Sequence, residues 1–132
     1  MKSIPNGLNL KQNNNKSFGN EGEDIASEYL KKNSYEIIER NYRFHKGEID
    51  IVAKDNETNY LVFIEVKSRK SLEYGEPEYA ITPAKAKQLK RMANYYLLDN
   101  HVKNTDCRLD VITVLLTPAN PPLINHYKNA VP

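Results

Sequence analysis

The residues best suited to chemistry lie between Gly47 and Lys67, where carboxylates and a lysine occupy two short runs of strand-like sequence. The first run, Gly47-Glu48-Ile49-Asp50-Ile51-Val52-Ala53, alternates so that Glu48, Asp50 and Val52 share one face and Ile49, Ile51 and Ala53 the other. The second, Leu61-Val62-Phe63-Ile64-Glu65-Val66-Lys67, places Glu65 and Lys67 on one face with Leu61 and Phe63. Asp55-Asn56-Glu57-Thr58-Asn59 between them is rich in turn formers and predicts an antiparallel hairpin. Folding it symmetrically about Glu57 and Thr58 sets Asp50 opposite Glu65 and brings Asp50, Glu65 and Lys67 together.

Two carboxylates about 4 Å apart repel by roughly 4 kcal/mol at an effective dielectric near 20. A Glu-x-Lys pair on a solvated strand is ordinarily a cross-strand ion pair. Here the pair ends the apolar run Leu61 to Ile64, which reads as a buried central strand where unpaired charge is costly. Lys67 alone does not neutralise several acids, whereas an oxygen-rich cluster suits Mg²⁺ or Mn²⁺. Such an ion activates water and stabilises a leaving oxygen, so the implied chemistry is phosphodiester hydrolysis, with Lys67 orienting water or stabilising charge at phosphorus. Zinc chemistry fits less well, because His45, His101 and His126 are widely spaced. Neither a serine-hydrolase elbow nor a Gly-rich phosphate loop is present in the sequence. The histidines read as surface or polar-contact residues, with His45, just before the hairpin, singled out as a phosphate contact.

Two helices must position this hairpin. The first starts between Ser17 and Asn20, either of which can cap it, and ends near Asn33, with Ile25, Ala26, Tyr29 and Leu30 as its apolar stripe. Glu23 sits on the edge of that stripe, within reach of the hairpin. The second runs from about Pro83 to about His101 and buries Leu89, Met92, Ala93, Tyr96 and Leu97, with Lys85 at the head of the inward stripe. Tyr35 to Phe44 reads as a strand with one wet face, Leu109 to Leu116 and Leu123 to Tyr127 as later strands, and Ser68 to Pro83 as a long loop. The expected architecture is α/β, a mixed sheet flanked by helices in the order αβββαββ.

The 132 residues suit a single domain, 18 to 130, preceded by a flexible leader over 1 to 17 in which Pro5, Gly7 and an asparagine run disfavour packing. Charged residues at 27% and a net charge of +2 are ordinary values, too small by themselves to establish a nucleic-acid partner. The single Cys107 excludes an intramolecular disulfide, fits a cytoplasmic location and reads as a small core residue. The first sixteen residues carry no apolar run, so no membrane association is expected.

Several motifs in series carry a resemblance: Gly19-Asn20-Glu21-Gly22-Glu23, Asn41-Tyr42-Arg43, Gly47-Glu48-Ile49-Asp50, Phe63-Ile64-Glu65-Val66-Lys67, Arg108-Leu109-Asp110-Val111 and Ile124-Asn125-His126 with Asn129-Ala130. From about Phe18 onward the chain resembles the YraN-like family of bacterial proteins. That resemblance implies a restriction-endonuclease-like fold of the PD-(D/E)xK superfamily, related to archaeal Holliday-junction resolvases. It implies that Asp50, Glu65 and Glu23 bind metal and, with Lys67, form the catalytic set. Ile49 stands where the superfamily motif has proline, which removes no chemical group. The terminal Asn129-Ala130-Val131-Pro132 departs from relatives that carry phenylalanine after the alanine, which touches only terminal packing. Lys85, Arg69 and Lys70 are further candidates for nucleic-acid contact, while Tyr74 and Tyr79 of the loop suit packing first and base stacking second, and Arg108 with Asp110 a structural pair. The expected activity is that of a Mg²⁺-dependent endonuclease acting on DNA, as a monomer or homodimer. The alternative is a catalytically silent nucleic-acid-binding module in repair or recombination, and a third reading is a structural ion network.

Overall fold

The computed structural model describes residues 14 to 70 and 81 to 131, with side chains from residue 20. Residues 1 to 13 of the expected leader, together with Tyr74 and Tyr79, lie outside the described residues. The elements are α1 (Asn14–Lys32), β1 (Tyr35–Phe44), β2 (Gly47–Asp55), β3 (Leu61–Arg69), α2 (Pro83–Asp99), β4 (Cys107–Leu115) and β5 (Leu123–Tyr127). This is the expected order, and one five-stranded mixed sheet in spatial order β1-β2-β3-β4-β5 has the restriction-endonuclease-like architecture. Helix α1 begins at Asn14, so Ser17 and Asn20 are internal to it rather than caps; both residue types cost only a fraction of a kcal/mol within a helix and do not stop one. Strand β3 continues through Ser68 to Arg69, because Val114 and Leu115 of β4 extend the ladder beside it.

Alternate residues of β3 build two cores. Val62 and Ile64 join Ala26 and Leu30 of α1, Ile51, Ala53, Ile112 and Val114 on one face. Leu61 and Phe63 join Tyr42, Ile49, Val52 and the Met92, Ala93, Tyr96 stripe of α2 on the other. A central strand covered on both sides must be apolar throughout, which is why Leu61 to Ile64 runs without a polar interruption. Burying each of these side chains contributes about 1.5–3 kcal/mol. Helix α2 starts where Thr82 accepts a hydrogen bond from the Lys85 N–H at 3.1 Å and Pro83 fills the first turn.

The β2–β3 turn is tied by Asp55, whose Oδ1 accepts the Glu57 N–H at 2.9 Å and whose Oδ2 accepts from Arg108 at 3.1 Å. Ile51 pairs with Ile64 and Lys54 with Leu61, the register that symmetric folding about Glu57 and Thr58 requires. Arg108 also binds Asp110 at 3.0 Å and Tyr35 at 2.8 Å, and Asp110 binds His126 at 2.7 Å. His126 is thus a buried polar-contact residue, and the Arg108–Asp110 pair is structural. Burial alone would raise Asp110, but hydrogen bonds from His126, Arg108 and the Asn129 N–H outweigh it and hold the carboxyl below its usual range. Cys107 is exposed rather than a core residue, because it opens β4 at the margin of the sheet, its thiol directed toward the Thr105 carbonyl at 3.6 Å.

Strict alternation fails at two places on β1: a bulge between Ile37 and Glu39, which pair with Ala53 and Val52, and a reversal at Asn41. Tyr42 and Ile49, directly paired, both pack against α2, whereas their strand neighbours Arg40 and Ile51, also paired, face α1. Ile49 therefore does not share a face with Ile51 and Ala53. The intervening Asn41 adopts φ 58°, a left-handed conformation that reverses the side-chain sequence along the strand. Opposite Asn41, β2 parts from β3 after the last ladder pair, Ile51 with Ile64.

Candidate metal centre

That break decides where the acids point. With Ile49 turned toward α2, Glu48 and Asp50 turn toward α1, and carboxylate oxygens of Glu23, Glu48 and Asp50 all lie within 4.8 Å of one another. Helix α1 comes close enough because Gly22 packs on Ser68 of β3; a Cβ at Gly22 would overlap the Ser68 Oγ and stand 3.0 Å from its Cβ. Asp50 takes over where the ladder stops, accepting the Val66 N–H at 2.8 Å.

Glu65 enters from the α2 side, where its carboxylate lies 3.6 Å from the Lys85 ammonium. Burial, then repulsion from Glu65, with smaller contributions from Glu23 and Glu48, pushes Asp50 up to about 7 despite the Val66 N–H. Burial also raises Glu23, against the hydrogen bond from Arg40. Each outer acid has a cation beside it: Arg40 lies 3.3 Å from Glu23, Arg43 3.6 Å from Glu48, and Lys85 faces Glu65. Among the described residues Asp50 has no ion-pair partner, and Lys67, two residues beyond Glu65, forms neither an ion pair nor a side-chain hydrogen bond.

The structure thus gathers Glu23 with Asp50 and brings Glu65, Lys67 and Lys85 to the same end of β3. Arg69 and Lys70 follow at the end of that strand. His45 sits apart from the acids, in the β1–β2 turn against the rings of Phe44 and Tyr95 at 4.3 and 5.9 Å. Glu48 is the acid that sequence reasoning left out of the site; its signal was its shared face with Asp50. Three carboxylates offering hard oxygen donors, the central one lacking a cation, fit an octahedral oxygen-binding ion such as Mg²⁺ or Mn²⁺.

Residues 22–114 match the profile of the "Uncharacterised protein family UPF0102". A UPF0102 protein of Caldicellulosiruptor saccharolyticus is 47% identical over 118 residues, covering 89% of this chain and 98% of its own. One from Chlorobium limicola is 50% identical over 99 residues, 75% of each chain, and one from Geobacter sulfurreducens 42% identical over 116 residues, 88% of this chain and 89% of its own. No described helix is long and apolar enough to cross a membrane.

Proposed function

The chain belongs to the uncharacterised protein family UPF0102, to which its YraN-like motifs pointed, and from that premise we propose that it is a metal-dependent endonuclease hydrolysing phosphodiester bonds in DNA. The observation that carries the reading is the meeting of Glu23, Glu48 and Asp50 oxygens within 4.8 Å. Glu23, Asp50 and Glu65 are the metal-binding acids of this proposal, with Glu48 added from the geometry. A Mg²⁺ or Mn²⁺ held there supplies Lewis acidity toward a phosphate oxygen and lowers the pKa of a water molecule.

The chain's own side chains do the rest. Lys85 holds Glu65 from the α2 side. Lys67, uncommitted to any described partner, donates to the attacking water or to the phosphate oxygen on which charge accumulates. Arg69 and Lys70, just beyond, contact the flanking backbone of the substrate strand. A four-way junction has two-fold symmetry, so a resolvase-like action on it calls for a homodimer; the cytoplasm, where DNA is reached, is the expected location.

Incubation with labelled linear, flapped and four-way-junction DNA in Mg²⁺ or Mn²⁺ tests the assignment. Cleavage by the wild type that is lost in Asp50→Asn supports it, and equal cleavage by both overturns it. A second reading, a catalytically silent nucleic-acid-binding module, draws on the cations Arg40, Arg43 and Lys85 that partly neutralise the outer acids without any metal. Salt-dependent DNA binding that ignores both metal and Asp50→Asn favours that module.

A further inference from the structure

A second concave feature lies between the β1–β2 turn and α2. Phe44, His45, Lys46 and Gly47 of the β1–β2 turn and Gln88, Arg91, Met92 and Tyr95 of α2 line a groove of about 530 Å³. Phe44 is 37% exposed although its ring lies 4.6 Å from that of Tyr95 and 4.3 Å from that of His45. The lining carries two cations and a histidine but no acid, and among the described residues neither Lys46 nor Arg91 forms an ion pair. A groove with open ring faces and uncommitted positive charge is complementary to a flat aromatic base on a phosphate backbone. An apolar protein segment would leave both cations desolvated.

The turn itself bears on the choice. His45 adopts φ 56° at the first position of a two-residue hairpin turn, where glycine is favoured. A side-chain-bearing residue held there costs about 1–2 kcal/mol. The imidazole accounts for no described hydrogen bond, only ring contacts within the groove.

The groove shares the α2 side with Glu65: Gly47 lines it, and although the next residue, Glu48, turns to α1, Lys85 of α2 reaches Glu65. On α2, Lys85 at Glu65 is followed by Gln88 and Arg91 at successive three-residue steps, each drifting about 60° around the helix toward the groove. At 1.5 Å per residue, Arg91 stands about 9 Å along the axis from Lys85. Stacked nucleotides advance about 3.4 Å each. Along the α2 axis that offset from Lys85 and Glu65 equals about two or three stacked nucleotides.

We propose that this groove binds an unpaired base of the substrate strand two or three nucleotides from the cleaved bond, stacking it on Phe44 and Tyr95 with Lys46 and Arg91 on its phosphates. This rests on the phosphodiesterase reading for the word substrate, but the binding itself needs no metal. Strands with unpaired segments are then preferred over continuous duplex.

The test is binding of a single-stranded deoxyoligonucleotide carrying 2-aminopurine, followed by fluorescence quenching and anisotropy in EDTA. The expected result is quenching by the wild type, with Phe44→Ala weakening affinity by about five- to a hundredfold. Arg91→Gln lowers the salt slope by about 0.7. Both side chains are exposed, and melting curves identify any variant that fails to fold; Phe44→Leu, which keeps the apolar bulk but not the ring, then replaces Phe44→Ala and is expected to weaken affinity and reduce the quenching. Wild-type affinity in folded Phe44 and Arg91 variants, or no quenching by the wild type, overturns the groove proposal even where Mn²⁺ uptake and cleavage are intact. Ring-dependent binding in a protein that takes up no Mn²⁺ and cuts nothing upholds the groove and overturns the phosphodiesterase reading instead.

Discussion

Replacing Asp50 by asparagine should stabilise the metal-free protein. Asp50 is pushed from 3.8 up to about 7 by burial and by Glu65, so between those pH values the native state holds a proton that the unfolded chain has released. Stability must therefore fall as pH rises through that window, the reverse of a carboxylate with a depressed pKa. At about 1.4 kcal/mol per pH unit, carrying Asp50 charged at pH 8 costs the fold up to roughly 4 kcal/mol. Asparagine keeps the shape, and its Oδ1 can still accept the Val66 N–H that Asp50 accepts at 2.8 Å. Relaxation of the neighbouring acids shares the relief, leaving an expected gain of about 2–4 kcal/mol at pH 8. For a chain of this length that is a melting-temperature rise of roughly 8 to 15 °C. Urea unfolding from pH 4 to 8 in EDTA, followed by circular dichroism, measures it. The wild type should lose stability with rising pH more steeply than Asp50→Asn, which keeps only the shallower decline contributed by the buried Glu23. Parallel pH curves, or a variant no more stable than wild type at pH 8, would show that Asp50 carries no buried charge penalty.

Lys67→Met keeps the aliphatic stem and removes the ammonium, so we expect stability within about 0.5 kcal/mol of wild type and a cleavage rate lower by about 100- to 1000-fold; unchanged cleavage in a metal-dependent assay would contradict its role. Gly22→Ala should lower stability by about 1–3 kcal/mol and weaken Mn²⁺ uptake, because its Cβ overlaps the Ser68 hydroxyl beside Glu23. Addition of Ser68→Gly should recover much of both, whereas the stabilisation of up to about 1 kcal/mol that helix propensity alone predicts would show the contact to be unimportant. Arg108→Ala leaves Asp55 and Asp110 buried without their cation, and urea unfolding should report a loss of about 3–5 kcal/mol. Asp55 and Asp110 are depressed, so their contribution is present above the ordinary carboxylate pKa and lost as pH falls below it; the same variant should unfold at higher pH on acid titration.

The hairpin register was legible because the turn formers centre on Glu57 and Thr58, and because a slip by one residue would send Asp50 or Glu65 to the other face and separate the acids. Glu23 and Lys85 were legible from helical spacing, since each borders the stripe its helix presents to the sheet. The face of Ile49 was not. Period-two reading assumes an unbroken strand, and the reversal depends on one backbone conformation, the left-handed Asn41 on the neighbouring strand. That same reversal draws Glu48 in with Asp50 toward Glu23, so the acid missed by sequence reasoning and the face assigned wrongly have one cause. The helix start was misplaced because Ser17 and Asn20 are good caps that are also tolerated inside a helix. The exposure of Cys107 depends on where β4 begins relative to α2, which composition does not encode.

The proposed phosphodiesterase site requires Glu23, Glu48, Asp50 and Glu65 to hold a divalent cation. Isothermal titration with Mn²⁺ at pH 8 tests it most directly. Saturable uptake by the wild type is expected, abolished in Asp50→Asn although that variant is the more stable protein. No uptake by the wild type, or equal uptake by the variant, would contradict it.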